Sequence, residues 1–175
     1  MEKGEFKLKK GFTIIEVLLV LAIAGLIFLM IFLAWPALSR TQRDARRRDD
    51  IALFLKEVKD YQTNNRGALP TGQGTITRGT KSDTDWSGFY HDYLEESFGD
   101  PNGVDYVLNV ANCASGKTAG QECDNILTDS SEFSGNMMIF KAATCDGSRA
   151  VVSNNPRKIA IQYKLEGGGV YCANT

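Results

Sequence analysis

The chain changes character twice along its length. Residues 1–11 are polar and carry Lys3, Lys7, Lys9 and Lys10 against Glu2 and Glu5. From Val17 to Ser39 no residue is charged, and long aliphatic side chains and phenylalanine dominate. About 20 apolar residues rising ~1.5 Å each cross a hydrocarbon core of about 30 Å, so the run predicts a transmembrane helix. A secretory signal has an apolar stretch of only about 7–15 residues before a small-residue cut site. Here the run continues to Trp35-Pro36-Ala37-Leu38-Ser39, which fits a retained anchor. Trp35 suits the interfacial belt, and Pro36, with no amide hydrogen, is expected to bend or loosen the helix.

Helical signals persist beyond the proline. Arg40, Arg43, Arg46, Arg47 and Arg48 alternate with Asp44, Asp49 and Asp50, and Asp44 precedes Arg48 by four residues, the favourable order for a solvated pair. A second apolar stripe, Ile51, Phe54, Leu55, Val58 and Tyr61, is spaced by three and four and can cover a globular core. The helix is expected to stop near Asn64-Asn65-Arg66-Gly67, with Gly67 in the left-handed cap and Pro70 beyond. A continuous helix from Phe12 to Arg66 would be roughly 80 Å long.

From Thr71 to Asp105 the Gly, Thr, Ser and Asp content predicts a long connection with a short helix around Tyr90 to Phe98. Tyr106–Val110, Met137–Ala142, Ala150–Ser153, Lys158–Leu165 and Val170–Cys172 then read as short strands between turn signals, an antiparallel meander. The predicted class is α+β: a long N-terminal helix on a small antiparallel sheet head. The expected divisions are 1–11, 12–39, 40–66 and 67–175.

Charge and composition narrow the chemistry. Lys and Arg total 20 against 21 Asp and Glu, so the net charge of −1 gives no bulk case for nucleic acid or acidic lipid. One His and four Cys without a Cys-x-x-Cys pair leave little for a zinc site or a Ser-His-Asp system. No catalytic residue, metal site, cofactor or small-molecule substrate is expected, and His91 reads as a surface imidazole. The segment from Ala111 to Gly116-Lys117-Thr118 imitates a phosphate loop, but no helix follows to present amides to a phosphate. Asp100-Pro-Asn102-Gly-Val-Asp105 lacks the calcium-loop spacing and reads as a turn.

One junction is more specific. Lys9-Lys10-Gly11-Phe12-Thr13-Ile14-Ile15-Glu16, followed by Val17-Leu18-Leu19-Val20-Leu21, resembles the leader-peptidase site of type IV prepilins. The resemblance is close from Lys9 to about Leu38 and extends as an architecture over the whole chain. It implies removal of the leader after Gly11 by a dedicated prepilin peptidase and methylation of the new N-terminal Phe12. It further implies a subunit held in the membrane by its helix, then extracted by pilus assembly machinery and packed with identical subunits into an extracellular filament. The family often places a helix-breaking proline where this chain has Leu33; here the proline is Pro36.

Glu16 is the residue of greatest interest, because an acid beside an apolar span is costly and therefore a functional candidate. Cleavage would make the Phe12 amine a nearby cation, and the resemblance implies that Glu16 meets a neighbour's N-terminus during assembly. The plainer reading is a helix-start acid favoured by the macrodipole. Lysines before the span and arginines after it leave orientation undecided by charge; the leader motif, cut on the cytoplasmic side, puts Arg40–Arg48 outside. Interleaved Asp residues argue for a solvated or subunit-packing face there rather than a nucleic-acid surface.

Cys113, Cys123, Cys145 and Cys172 lie in the polar head, where an external location favours two disulfides among three possible connectivities. Pilin resemblance implies Cys145–Cys172 closing a sheet edge, with Cys113–Cys123 stapling the loop between strands. A major filament subunit is the first expectation. A minor pilin, a secretion or competence pseudopilin, or an anchored binding protein that never polymerises are the alternatives.

Overall fold

The computed structural model describes residues 11–78, 85–94, 98–124 and 135–175. The leader lysines and the 95–97 part of the expected 90–98 helix lie outside these residues. The chain divides after Ser39 into two units.

Helix α1 runs from Ile14 to Asn64, 51 residues, and is continuous through Pro36. Proline cannot donate to the carbonyl four residues back, and the Ser39 hydroxyl donates to the Trp35 carbonyl at 3.1 Å in the following turn. The helix stops where expected. Arg66 and Gly67 have φ of 56° and 81°, and the Gly67 amide donates to the Gln62 carbonyl at 2.6 Å. In the first unit the large apolar side chains of the span are exposed: Val17 is 49% exposed and Phe32 76%.

The second unit has a five-stranded sheet in the order β1 (Gly74–Ile76), β2 (Val107–Asn112), β3 (Asn136–Lys141), β6 (Ile159–Lys164), β7 (Val170–Asn174). A separate hairpin is formed by β4 (Ala143–Asp146) and β5 (Arg149–Val152). The expected antiparallel meander requires correction, because β2 and β3 pair in parallel, Val107 opposite Asn136 through Asn112 opposite Lys141. A parallel pair needs a connection of a dozen residues or more, and Cys113 to Gly135 supplies it. The other pairings are antiparallel.

The two central strands β3 and β6 are buried on both faces. One face carries Met137, Ile139, Ile159, Ile161 and Tyr163 into a core completed by Ile51, Phe54, Leu55 and Val58 of α1. The other carries Met138, Phe140 and Ala160 against Ala143, Ala150, Val152 and the Cys113–Cys123 staple. The region from Thr71 to Asp105 is more than a connection. It holds β1 and helix α2 (Asp85–Tyr93), which begins five residues earlier than the sequence suggests. Trp86, Phe89, Tyr90 and Tyr93 share one face of α2; Phe89 lies 5.4 Å from Phe54 and 5.7 Å from Tyr61, centroid to centroid. That aromatic stripe outweighs the polar residues around it.

β4 also lies outside the expected strands, and Ala142, expected to end the strand from Met137, is instead the turn residue before it. Ala142, at φ 56°, breaks the line of β3 and redirects the chain into the hairpin.

Candidate processing and assembly site

The Gly11–Phe12 bond precedes the first helical residue by two positions, in exposed, non-helical backbone. Phe12 is 89% exposed. Among the described residues nothing lies within 4 Å of where a Cβ on Gly11 would sit.

Thr13 is the helix N-cap. Its hydroxyl accepts from the Glu16 amide at 3.4 Å, while its own amide and hydroxyl donate to Glu16 Oε2 at 3.0 and 2.8 Å. This is a reciprocal capping box, and Thr13-x-x-Glu16 is its sequence signature. The structure therefore brings Glu16 to Thr13 within the subunit, a role legible in the sequence beside that of a charge partner for Phe12.

Beyond Glu16 the helix offers only apolar surface up to Ser39, and it is long and apolar enough to cross a membrane. A helix apolar on every face is stable only against lipid or other apolar chains.

The arginine segment is built differently from the solvated face expected. Arg47 is 2% exposed and forks onto Asp100, Nε to Oδ2 at 2.8 Å and Nη2 to Oδ1 at 3.0 Å. Its Nη1 donates to Asp44 at 2.8 Å and to Glu166 at 3.2 Å. The Tyr163 hydroxyl also donates to Asp100, at 2.6 Å. Asp44, instead of pairing with Arg48, accepts the Glu166 and Gly167 amides at 2.9 and 2.8 Å. Arg43 forks onto Glu166, and Arg48 lies over the Tyr171 ring at 5.5 Å.

These contacts tie α1 to the 98–105 turn and to the turn between β6 and β7. The signal that could have revealed them is register: Asp44 and Arg47 continue the buried stripe of Ile51, Phe54, Leu55 and Val58. The same contacts account for the Asp100 turn, whose carboxylate is held by Arg47, Tyr163 and the Asn102 amide.

The charges respond to this geometry. Burial pushes the Asp100 carboxyl up, but hydrogen bonds from Arg47 and Tyr163 bring it below its usual value. Asp44 is likewise lowered, the amides of Gly167 and Glu166 overcoming burial. Arg43 holds Glu166 down to about 2. Asp50 moves the other way, because its burial outweighs the hydrogen bond donated by Tyr106 at 2.8 Å.

The four cysteines pair as the pilin resemblance implied, Cys113 with Cys123 and Cys145 with Cys172. The phosphate-loop look-alike begins in the last two residues of β2 and continues as turns inside the first staple, with Lys117 donating to the Glu122 carbonyl and to Asp124. His91 is exposed, with Nδ1 2.9 Å from Asp92.

Over residues 6–32 the chain matches the family model described as the prokaryotic N-terminal methylation motif. That match supports a likeness to type IV pilin-like prepilins and, with the apolar helix that follows, anchoring of the chain in a membrane. No curated protein and no solved structure matches the chain.

Proposed function

We propose that the protein is a structural subunit of a type IV pilus filament. In this reading residues 1–11 are the leader, cut by prepilin peptidase between Gly11 and Phe12, and the Phe12 amine is then methylated. Residues 12–39 anchor the subunit and later form filament core, 40–66 join that helix to the head, and 67–175 complete the head. Assembly machinery extracts the subunit, and identical copies replace the lipid around the helix outside the cell. The subunit catalyses nothing. The observation that carries this reading is the uncharged run from Val17 to Ser39, open on all sides and placed directly after the processing junction.

Glu16 is assigned two roles in sequence. In the membrane it caps its own helix through Thr13; during assembly its carboxylate neutralises a Phe12 amine that would otherwise enter a low-dielectric core unpaired. Two substitutions separate these roles. Glu16→Gln retains a side chain able to complete a capping box but has no charge, whereas Glu16→Ala loses both.

Both variants are expected to leave processed subunit in the membrane and few or no filaments. The assay is electron microscopy of sheared surface protein beside a blot of the membrane fraction. Normal filaments from the Gln variant, with loss only in the Ala variant, would reduce Glu16 to a cap and remove the charge-pairing step.

A further inference from the structure

One concave surface of the second unit has no part in the reading above. An open hollow of about 280 Å³ lies between the end of α1 and the turn that enters β6, lined by Lys59, Gln62, Gly67, Asn155, Arg157, Lys158 and Thr175. Elsewhere the head's cations mostly meet carboxylates: Arg43 with Glu166, Arg47 with Asp100, Lys56 with Glu57, Lys117 with Asp124 and Arg149 with Glu122. Among the described residues no carboxylate pairs with Lys59, Arg157 or Lys158.

The hollow is held in shape from below. The Arg157 amide donates to Asn155 Oδ1 at 2.9 Å, and the Arg157 carbonyl accepts from Gln62 Nε2 at 2.8 Å. The guanidinium rests over Gly67, where a Cβ would stand 3.1 Å from Nη1. Gly67 thus serves twice, stopping the helix at positive φ and leaving room for the arginine.

Capping of α1 does not account for these cations. The Lys59, Tyr61 and Gln62 carbonyls already accept from the Thr63 hydroxyl, the Asn65 amide and the Gly67 amide. Three unit charges also exceed the roughly half-unit negative end of a helix. One guanidinium and two lysine side chains among the lining of one hollow suit an anion that offers several oxygens.

We propose that this hollow binds a tetrahedral oxyanion, phosphate or sulfate, either free or as the terminal group of a larger ligand. The site is independent of the filament reading, so either can fail without the other.

The test is calorimetric titration of the full chain, in uncharged detergent at low salt, with inorganic phosphate and separately with glucose 6-phosphate, glucose serving as blank. Saturable binding of one phosphate form or both is expected, with none for glucose. Arg157→Gln and Lys59→Gln are each expected to weaken it by about tenfold, the scale of one charge-assisted hydrogen bond. Lys56→Gln, on the same helix but paired with Glu57 and Asp60, is expected to leave it unchanged. Unaltered circular dichroism and intact disulfides certify each variant's fold.

Binding of inorganic phosphate alone assigns the hollow to the free ion; binding of both forms assigns it to the group on a larger molecule. Absence of saturable binding to either, or an equal loss in Lys56→Gln, overturns the proposal.

Discussion

Replacing Arg47 by Met tests whether charge, as well as apolar burial, holds the head on its helix. Methionine keeps an unbranched apolar stem but removes four hydrogen bonds to three carboxylates. The Asp100 side chain is then wholly buried, and that of Asp44 10% exposed, without their guanidinium. Removing one partner of a buried pair typically costs about 3–5 kcal/mol, whereas an exposed pair contributes about 0–1. Against a total stability of about 5–15 kcal/mol, the larger figure is a drop of roughly 10–20 °C in melting temperature.

Arg47→Met together with Asp100→Asn removes the stranded charge and is expected to recover part of the loss. The assay is urea unfolding of the detergent-solubilised chain in a Trp35→Phe background, where Trp86, buried against Phe54 and Phe89, is the sole fluorescent tryptophan. A cost below about 1 kcal/mol for Arg47→Met would refute the reasoning, because the network would then behave like a surface pair.

Three further outcomes are expected. Mass spectrometry of protein sheared from cells should find Phe12 first with a methylated amine, and Gly11→Val should leave unprocessed precursor in the membrane although no described residue crowds that position. Reducing Cys145–Cys172, which closes a separation of 27 residues, should cost about 3–4 kcal/mol in the same urea assay, and Cys113–Cys123, with a separation of 10, slightly less. Acid should destabilise the head below about pH 4.5, progressively towards pH 2. The lowered carboxyls of Asp44, Asp100 and Glu166 stabilise the fold while ionised and lose that contribution as pH falls through their folded values. The raised Asp50 acts in the opposite sense, so Asp50→Asn should deepen the acid loss, read as the pH dependence of the unfolding midpoint.

What the sequence determined by itself is what depends on neighbours close along the chain. An uncharged run from Val17 to Ser39 can form only an apolar helix, the 3–4 spacing from Ile51 to Val58 gives that helix a core face, and Gly67 ends it within a few residues of the observed stop. The Thr13–Glu16 capping box belongs to the same local class. The cysteine positions marked a stapled head, while their partners followed from resemblance to pilins.

Tertiary structure decided the contacts between distant segments. Parallel pairing of β2 with β3 depends on how the chain returns from Cys113 to Gly135, which no local period encodes. The aromatic face of α2 is strong only because Phe54 and Tyr61 meet it. Arg47 looks like a solvated helix charge until Asp100, 53 residues on, and Glu166, 119 residues on, close around it. A charge becomes a buried clamp when the fold brings its counter-charges and excludes water, and both conditions are properties of the assembled head.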